Sequence, residues 1–364
     1  MPPRPIALNP ENSATHRGRG ALTNITGRYE KTSREKEADG WDSAPEPQSL
    51  ATSITEEVAK SAISYNTSPD ISFDRTVNPY RGCEHGCVYC YARPNHAYVG
   101  LSPGLDFESR LFVKSNAIEK LSEELAQPGY KPATLMLSGV TDCYQPIERT
   151  HRLTRRVLET MLAWHHPVAI TTKSALVLRD IDVLQELAKL RLVKIALSIT
   201  TLDPRLARRL EPRATTPAKR LAAIEGLAKA GVPTSVMVAP IIPGLTDTEI
   251  EAIISAAATA GARSAGYVLL RLPLELKALM QEWLHTHTPA RASHVWRLLT
   301  DTHNGAVYQS QFGLRQRGSG PYAQLIAQRF RMALRRNHLQ APRFDLDTTL
   351  FRKPPTAGDQ LPLF

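Results

Sequence analysis

Cysteine and long apolar runs are both scarce in this chain. Only four cysteines occur among 364 residues, and three of them share one short stretch, which argues against a disulfide framework. No run of eighteen apolar residues is present, so a membrane-spanning helix is not expected. The opening sequence Met1-Pro-Pro-Arg-Pro lacks the apolar core of a secretion signal. These absences predict a cytoplasmic protein in a reducing compartment.

The three clustered cysteines are the most informative feature of the sequence. Cys83, Cys87 and Cys90 follow the spacing C-x3-C-x2-C, which lets their thiolates converge on one metal centre. Three ligands do not complete a structural zinc site, which takes four, and they leave one iron of a four-iron cluster open. The alternative is a zinc knuckle, in which His85 or His96 supplies the fourth ligand.

The residues around these cysteines resemble a known signature. C-x3-C-x-aromatic-C, with Tyr89 as the aromatic residue, is similar to the motif of the radical S-adenosylmethionine (radical SAM) superfamily. The longer stretch from Asn78 to Arg93 resembles the branch that contains spore photoproduct lyase. The resemblance implies a [4Fe-4S] cluster on the three cysteines, with S-adenosylmethionine bound at the fourth iron. It also implies reductive cleavage to a 5′-deoxyadenosyl radical, with a flavodoxin or ferredoxin as electron donor.

The pattern of apolar residues predicts the fold. From Ile71 onwards, β-type apolar runs alternate with helical segments, which is typical of βαβ units and a parallel sheet. The predicted strands are 73–77, 133–137, 168–172, 193–199, 233–239 and 266–270. The predicted helices are 116–125, 149–164, 177–187, 217–230, 247–260, 274–285 and 321–336. Six strand–helix pairs are too few for a closed eight-stranded barrel. The count agrees with the α/β fold that the resemblance implies, a partial (β/α)6 TIM-like barrel, over residues 61–288.

Three further parts flank this barrel in the prediction. Residues 1–60 are rich in Pro, Ser, Thr, Arg, Glu and Gly, which predicts a disordered or loosely attached N-terminal tail. A short helix is allowed within 52–64, and the Arg17-Gly-Arg-Gly20 run is interpreted as part of the flexible tail. Residues 289–345 are predicted to form an arginine-rich helical extension, and residues 346–364 a flexible tail.

Polar residues at the strand ends are the candidates for cofactor binding, because barrels of this kind bind ligands at the C-terminal ends of their strands. With the resemblance, the candidates for S-adenosylmethionine are Tyr89, Ser138, Gly139, Thr141, Asp142, Lys173, Ser198 and Arg213. An inward lysine after an apolar strand needs a partner, and the carboxylate of the ligand would provide one for Lys173. The alternatives are ordinary turn contacts and, for Arg213, an ion pair that clamps a loop.

Cys143 marks a departure from the lyase pattern. Spore photoproduct lyase has a cysteine that donates hydrogen near the end of the corresponding strand, and here Val140 stands approximately at that place. Cys143 lies just beyond Asp142 and is considered both as a hydrogen donor and as a small buried residue. Activity on thymine dimers is therefore not transferred to this chain.

Positive charge is concentrated on the C-terminal side. The segment 291–343 holds nine arginines and one acid, and so carries +8 of the net charge of +10. Such a surface suggests a nucleic-acid partner, and the alternative is arginines that are solvated or paired with acids elsewhere. The candidate contacts are Arg315, Arg317, Tyr322 and Arg329. For Tyr322, packing against the barrel is the alternative.

The last five residues suggest a second partner. They are Gln360, Leu361, Pro362, Leu363 and Phe364, and they resemble the pentapeptide by which bacterial repair proteins bind the DNA sliding clamp. The alternative is that the terminal Leu and Phe dock on their own barrel.

Together these features predict a cytoplasmic radical SAM enzyme that acts on a nucleic acid or on a substrate associated with one. Two other classes stay open. One is a non-enzymatic iron–sulfur or zinc DNA-binding protein, and the other is a radical SAM enzyme for a small metabolite or peptide.

Overall fold

Ten strands and eleven helices lie in the residues that the computed structural model describes, namely 16–30, 50–339 and 344–354. The strands are β1 (Ser53–Glu57), β2 (Ile63–Tyr65), β3 (Arg75–Val77), β4 (Tyr80–Arg81), β5 (Arg110–Lys114), β6 (Leu135–Leu137), β7 (Val168–Thr172), β8 (Val193–Ser198), β9 (Thr234–Ile241) and β10 (Ser264–Leu269). The helices are α1 (Asp106–Ser109), α2 (Ala117–Leu125), α3 (Glu148–His151), α4 (Leu153–Ala163), α5 (Ile181–Lys189), α6 (Pro204–Leu210), α7 (Pro217–Lys229), α8 (Ile250–Thr259), α9 (Leu276–His287), α10 (Pro289–Asp301) and α11 (Gly320–Arg336). Short 3-10 turns cover Arg93–Val99, Ala175–Asp180 and Asp247–Glu249.

The larger sheet is the partial barrel. Its seven strands follow the order β10-β9-β8-β7-β6-β3-β2. Neighbours from β3 to β10 pair in parallel, and β2 adds to β3 in the antiparallel sense. Helices connect the six parallel strands, as parallel pairing requires. The predicted (β/α)6 arrangement within an α/β fold is confirmed.

The two faces of this sheet differ in side-chain size and exposure. Outward residues such as Leu137, Ile195 and Val238 are buried beneath the helices, where each contributes roughly 1.5–3 kcal/mol through apolar burial. Residues that alternate with them, such as Ala196 and Met237, are only partly buried. The concave face of the barrel is therefore open and lined by small or flexible side chains.

Three predicted helices begin or continue differently from the expectation. The segment 149–164 divides into α3 and α4 at Arg152, whose φ of +52° breaks the helix. The segments 177–187 and 247–260 each begin as a 3-10 turn and continue as α5 and α8. Each change is local, and the apolar faces of these helices still pack on the sheet.

The N-terminal part departs most from the prediction. Residues 16–30 and 50–60 are ordered in the structure, so the predicted disorder of 1–60 is wrong for them. The helix allowed within 52–64 is also wrong, because Ser53–Glu57 forms β1 and pairs in parallel with β5. The β-branched residues Ile54 and Thr55 suit a strand, and β5 provides a partly buried partner for it. With β4, these strands make a second sheet in the order β1-β5-β4.

The C-terminal part is helical as predicted and packs on the barrel. Helix α11 lies against α8, where Arg329 forms an ion pair with Glu251 at 2.6 Å. Its Phe330 ring also contacts the ring of Tyr267 in β10, with 4.6 Å between the centroids. The chain then returns at 344–354 and packs on the barrel, so the predicted flexible tail over 346–364 is wrong for 346–354. The pentapeptide 360–364 lies outside the described residues. No helix in the described ranges is long and apolar enough to cross a membrane.

Phe351 anchors this returning segment, and its removal tests the packing. Its ring lies 6.0 Å from Trp164, 5.5 Å from Tyr130 and 5.5 Å from His166, measured between centroids. We expect Phe351→Ala to lower the free energy of unfolding by about 2 kcal/mol, less than for a fully buried ring because Phe351 is half-buried. Chemical denaturation measures the change.

The adjacent Leu350 provides the control for this variant. It is 37% exposed, so Leu350→Ala should change the free energy of unfolding by less than about 0.5 kcal/mol. Equal effects at the two positions would contradict the packing of Phe351.

Candidate functional site

The three cysteines lie on the loop that follows β4. Cys83 and Cys87 are buried, Cys90 is partly buried, and all are free thiols. The backbone of the loop is fixed at both sides, because the amide of Cys83 donates to Phe107 at 2.9 Å and that of Val88 to Leu210 at 3.1 Å. The amide of Cys90 donates to the carbonyl of Cys87 at 3.2 Å. The loop therefore holds three thiols within one short, well-anchored turn.

The donor chemistry of this loop fits an iron–sulfur cluster. Thiolates are the usual protein ligands of such clusters, and three of them leave one iron open. Burial raises the pKa of all three thiols, and metal binding opposes that shift because the cation stabilises the thiolate. Within the described ranges, no three His, Cys, Asp or Glu side chains are placed so that they could bind one metal ion.

The zinc alternative requires a fourth ligand, and both histidine candidates have other contacts. His96 Nε2 lies 3.0 Å from the carbonyl oxygen of Arg110. His85 Nδ1 lies 3.3 Å from a carboxylate oxygen of Asp142. Because each contact uses only one ring nitrogen, the zinc knuckle stays the alternative to a three-thiolate cluster at this point.

A buried carboxylate, Glu108, stabilises the cysteine loop through Arg93. Glu108 is fully buried and forms an ion pair with Arg93. It also accepts hydrogen bonds from the backbone amides of Gly20 and Ala21, both at 2.8 Å. Arg93 in turn donates to the carbonyl of Cys87 at 2.8 Å. The N-terminal segment is thereby connected to the cysteine loop through two charged side chains.

The contact between this segment and the loop leaves no room for a side chain at Gly20. A Cβ atom there would lie 1.8 Å from the carbonyl oxygen of Gly86. Arg19 adds hydrogen bonds to the carbonyl oxygens of Glu108 and Leu50, both at 2.6 Å. We name residues 16–22 the N-terminal brace. The sequence prediction missed it, because its glycines and arginines have the composition of a flexible tail.

Lys173 lies at the mouth of the barrel, directly after β7. Its ammonium group donates to Ser198 Oγ at 2.6 Å and to the carbonyl oxygen of Ala239 at 3.1 Å. It also lies 3.5 Å from Glu211 Oε1. The predicted pair of Lys173 and Ser198 is thus brought together at the ends of β7 and β8.

Glu211 is the hub of the polar cluster around Lys173. It is buried, pairs with Arg220, and accepts hydrogen bonds from the hydroxyls of Tyr89 and of Thr200, the latter at 2.6 Å. Burial alone would raise the pKa of Glu211, but Arg220 and Lys173 outweigh it and hold that pKa well below its ordinary value. The aromatic residue of the cysteine motif is therefore tied to the strand ends through an ionised carboxylate.

Asp142 links the ends of β6 and β7 to the cysteine loop. Its carboxylate accepts from Thr172 Oγ1 at 2.7 Å and from the amide of Lys173 at 2.8 Å, and faces His85. Burial would raise the pKa of Asp142, but His85 and these hydrogen bonds lower it below its ordinary value. Asp142 therefore acts here as an ionised organising group.

The turn after β6 is tight. Ser138 has a φ of +84°, and its hydroxyl donates to the carbonyl of Thr141 at 2.6 Å. A Cβ atom at Gly139 would lie 2.8 Å from Thr76, so glycine is required by space there. Tyr91 donates to the Gly139 carbonyl at 2.5 Å. This small-residue turn keeps backbone groups accessible next to the cysteine loop.

Arg213 and Cys143 lie outside the polar cluster around Lys173. Arg213 pairs with Glu84 at 2.6 Å and donates to Thr52, which is the loop clamp that the sequence left as the alternative. Cys143 is fully buried in the main apolar core, and its carbonyl accepts from Thr154 at 2.6 Å. Hydrogen donation by Cys143 stays a prediction.

The nucleic-acid candidates are mostly engaged within the fold. Arg315 pairs with Asp70, Arg329 pairs with Glu251, and Tyr322 donates to Asp247. Arg317 is exposed, and its guanidinium carbon lies 4.3 Å from the centroid of the Tyr267 ring. Only Arg317 of the four thus lacks a polar partner in the described part of the chain.

Sequence reasoning missed Glu211 and Arg220. The motif Glu211-Pro212-Arg213 follows the predicted strand 193–199, and Lys173 requires an acidic partner, which together would have indicated Glu211. Arg220 lies in α7, where an arginine is more often exposed, so nothing in the local sequence marks it.

Comparison with known proteins identifies the family. The family model of the Radical SAM superfamily matches residues 77–257. An uncharacterised protein of Mycobacterium tuberculosis is 35% identical over 252 residues, which cover 68% of this chain and 74% of that protein. The chain belongs to the radical SAM superfamily. An uncharacterised protein of Methanocaldococcus jannaschii is 31% identical over 173 residues, 48% of this chain and 62% of that protein.

The architecture of this radical SAM protein also resembles a solved structure. Spore photoproduct lyase complexed with dinucleoside spore photoproduct aligns with a TM-score of 0.56 over 78% of this chain and 79% of that chain. The sequence identity of 17% limits this likeness to the fold. Membership of the superfamily supports an enzyme and implies a [4Fe-4S] cluster and S-adenosylmethionine as its cofactors.

The N-terminal brace makes a testable contribution to the cysteine loop. We expect Gly20→Ala to displace the brace, since the added carbon cannot fit against Gly86. Glu108 would lose two donors, and the free energy of unfolding should fall by about 3 kcal/mol. Iron and sulfide bound per chain after anaerobic reconstitution should fall with it.

Gly18→Ala is the matched control for this variant. Gly18 lies in the same segment with a φ of +77°, and a Cβ atom there meets nothing within 4 Å. It should cost about 1 kcal/mol in backbone strain and leave the iron content unchanged. Wild-type iron content in Gly20→Ala would contradict a supporting role of the brace.

Proposed function

We propose that this radical SAM protein cleaves S-adenosylmethionine reductively to a 5′-deoxyadenosyl radical, which acts on a nucleic acid or on a nucleic-acid-associated substrate. The observation that carries the chemistry is the meeting of the three-cysteine loop with a lysine-centred polar cluster at the strand ends. Tyr89 of the motif and Lys173 of β7's end share Glu211 as their partner.

The three thiolates of Cys83, Cys87 and Cys90 would hold the cluster and leave one iron open. That iron would bind the amine and the carboxylate of S-adenosylmethionine. When bound, the cluster supplies the electron that breaks a carbon–sulfur bond of S-adenosylmethionine. The chain's own task is to bind, orient and shield that molecule. An electron donor of the flavodoxin or ferredoxin type belongs to this proposal.

The charge balance around Lys173 favours an anionic ligand. Lys173 and Arg220 share one carboxylate, Glu211, so the three groups together carry a net positive charge. Arg220 is fixed by a further hydrogen bond to the Ser198 carbonyl at 2.8 Å. Because Lys173 is the more exposed cation, with 14% of its side chain accessible, it is the one that meets an incoming carboxylate.

The concave face of the barrel provides the space for the rest of the ligand. Its partly exposed residues include Thr171, Ala196 and Met237, which leave room above the sheet. At the C-terminal end of β9, the partly buried Ala239 and Pro240 add apolar surface at the same end. The bound ligand and substrate would have to cover this open face, because a reactive radical needs protection from water.

The basic extension supports the choice of nucleic acid as substrate class. Its arginines carry most of the chain's net positive charge within one segment of the sequence. Binding to the DNA sliding clamp through Gln360–Phe364 is proposed with it and rests on the sequence alone. A pull-down with the clamp that persists without the last two residues would overturn it.

The radical chemistry is tested by its product. After anaerobic reconstitution and reduction, the wild-type protein should convert S-adenosylmethionine to 5′-deoxyadenosine, detected by chromatography, with and without added DNA or RNA. Cys87→Ala should abolish the product because two thiolates cannot hold the cluster. Cys143→Ala is the control, since Cys143 lies in the core, and it should bind iron like the wild type.

Lack of product from wild-type protein with a full complement of four irons, in all nucleic-acid conditions, would contradict this chemistry. It would favour the binding-protein alternative instead.

Lys173 gives a second test, through ligand binding rather than turnover. We expect Lys173→Met to weaken S-adenosylmethionine binding at least tenfold, since about 1.5–3 kcal/mol of charged hydrogen bonding is lost. Equilibrium dialysis of the reconstituted protein measures the affinity. Lys189→Met, which removes a charge from the exposed side of α5, should bind like the wild type. Equal affinity for Lys173→Met and wild type would exclude this role.

A further inference from the structure

The partial barrel leaves a seam between its two outer ends. In the described part of the chain, β10 ends the sheet on one side and β3 with β2 end it on the other. Two contacts cross this gap, and both involve arginines. The seam opens next to the cysteine loop, because Tyr91 directly follows Cys90.

The first contact is formed by Tyr91. Its hydroxyl is held by the carbonyl of Gly139, which follows β6 and packs against Thr76 of β3. Its ring lies under Arg271, which follows β10, with the guanidinium carbon 4.4 Å from the ring centroid. Tyr91 therefore connects the two ends of the barrel.

The second contact is the segment 311–317. On one side, the carbonyl of Gln316 accepts from the amide of Leu269 in β10 at 2.9 Å. On the other side, Arg315 pairs with Asp70, which lies in the connection between β2 and β3. The amide of Gly313 donates to the same carboxylate at 2.6 Å. This segment joins the same two ends a second time.

Charge at the seam is unbalanced. Arg271 and Arg315 both lie near one carboxylate, Asp70, and Arg317 belongs to the same segment as Arg315. Within the described residues, no carboxylate lies within ion-pair distance of Arg271 or Arg317, and each stacks on a tyrosine ring instead. The hydrogen bond from Gly313, together with Arg315, lowers the pKa of Asp70 below its ordinary value, so this carboxylate is ionised at neutral pH.

Aromatic rings alternate with these arginines and are exposed. Tyr91 is 47% exposed and Phe312 is 55% exposed. Arg315 lies 4.6 Å over the Phe312 ring. Exposed rings beside cations are the usual features that bind unpaired bases and their phosphates.

We propose that the seam binds a single-stranded segment of nucleic acid, with a phosphate displacing Asp70 from Arg315. We name as the seam surface the residues Asp70, Tyr91, Arg271, Phe312, Arg315 and Arg317. This proposal rests on the proposed function and names the place where its substrate class meets the chain. In the free protein, Asp70 occupies the position of the phosphate and keeps the seam closed.

The test measures binding of a fluorescent single-stranded DNA oligonucleotide to the full-length reconstituted protein, by anisotropy at several salt concentrations. The double variant Arg271→Gln with Arg317→Gln should bind at least tenfold more weakly. The slope of log affinity against log salt should become shallower by about 1.4, since each lost phosphate contact removes roughly 0.7. Phe312→Ala should weaken binding roughly tenfold through lost stacking.

The double variant Arg331→Gln with Arg335→Gln is the charge-matched control. Both arginines are exposed on α11 and lie outside the seam surface, so the oligonucleotide affinity and the salt slope of this variant should match the wild type. Equal losses in this control and in the double seam variant would overturn the seam as the site, because general charge would then account for binding.

Asp70→Asn gives the most distinctive result. It removes the competing carboxylate, so oligonucleotide affinity should rise several-fold even though an ion pair of the free protein is lost. If the Asp70–Arg315 ion pair only stabilises the fold, oligonucleotide binding should be weaker or unchanged in Asp70→Asn. That outcome would overturn the displacement of Asp70 by a phosphate. Thermal unfolding shows whether each variant is folded. If Asp70→Asn does not fold, Phe312→Ala still tests the seam.

The outcomes separate this inference from the proposed function. Wild-type binding that the seam variants do not alter overturns the seam and leaves a nucleic-acid substrate standing. Failure of the wild type to bind the oligonucleotide even at low salt overturns the seam and a single-stranded nucleic acid as its ligand, while the yield of 5′-deoxyadenosine still decides the radical chemistry separately. Binding of polyglutamate as tight as that of the oligonucleotide overturns the choice of nucleic acid over an acidic protein.

Discussion

The ion pair between Arg93 and Glu108 is the interaction on which the site depends. Both side chains are fully buried, so neither has water to stabilise its charge. Breaking such a pair by removing one partner costs about 3–5 kcal/mol. Through Arg93 the pair holds the backbone of the cysteine loop, and through Glu108 it holds the N-terminal brace. A loop that must present three thiols in one orientation thus gains its rigidity from outside the barrel.

A second buried carboxylate relates the loop to the strand ends. Glu211 accepts from Tyr89 of the cysteine motif and pairs with Arg220, and it lies near Lys173. Because Glu211 is ionised and shared by Lys173 and Arg220, these three side chains keep one positive charge for a ligand. The two carboxylates have different consequences. Glu108 fixes the position of the cysteine loop, and Glu211 sets the charge of the side chains that face this loop.

The barrel could be predicted from the sequence because the spacing of apolar residues and the polar residues that follow each strand are local features of the chain. The strand 168–172 was predicted with its observed limits, and Lys173 was placed at the mouth from its position after that strand. The brace could not be predicted, since Gly20 is required by the carbonyl of Gly86, far away in the chain. Arg315 and Arg329 were interpreted from charge alone, and their acidic partners come from other elements of the fold. Long-range pairing of this kind leaves no mark in the local sequence.

The most direct measurement is electron paramagnetic resonance of the reconstituted, reduced protein with and without S-adenosylmethionine. In the proposed function, three thiolates leave one iron open and Lys173 faces the ligand bound there. The reduced protein should therefore give the signal of a four-iron cluster whose g values shift when S-adenosylmethionine is added. A four-iron signal that saturating S-adenosylmethionine leaves unchanged would contradict the account, because the ligand would then not reach the cluster.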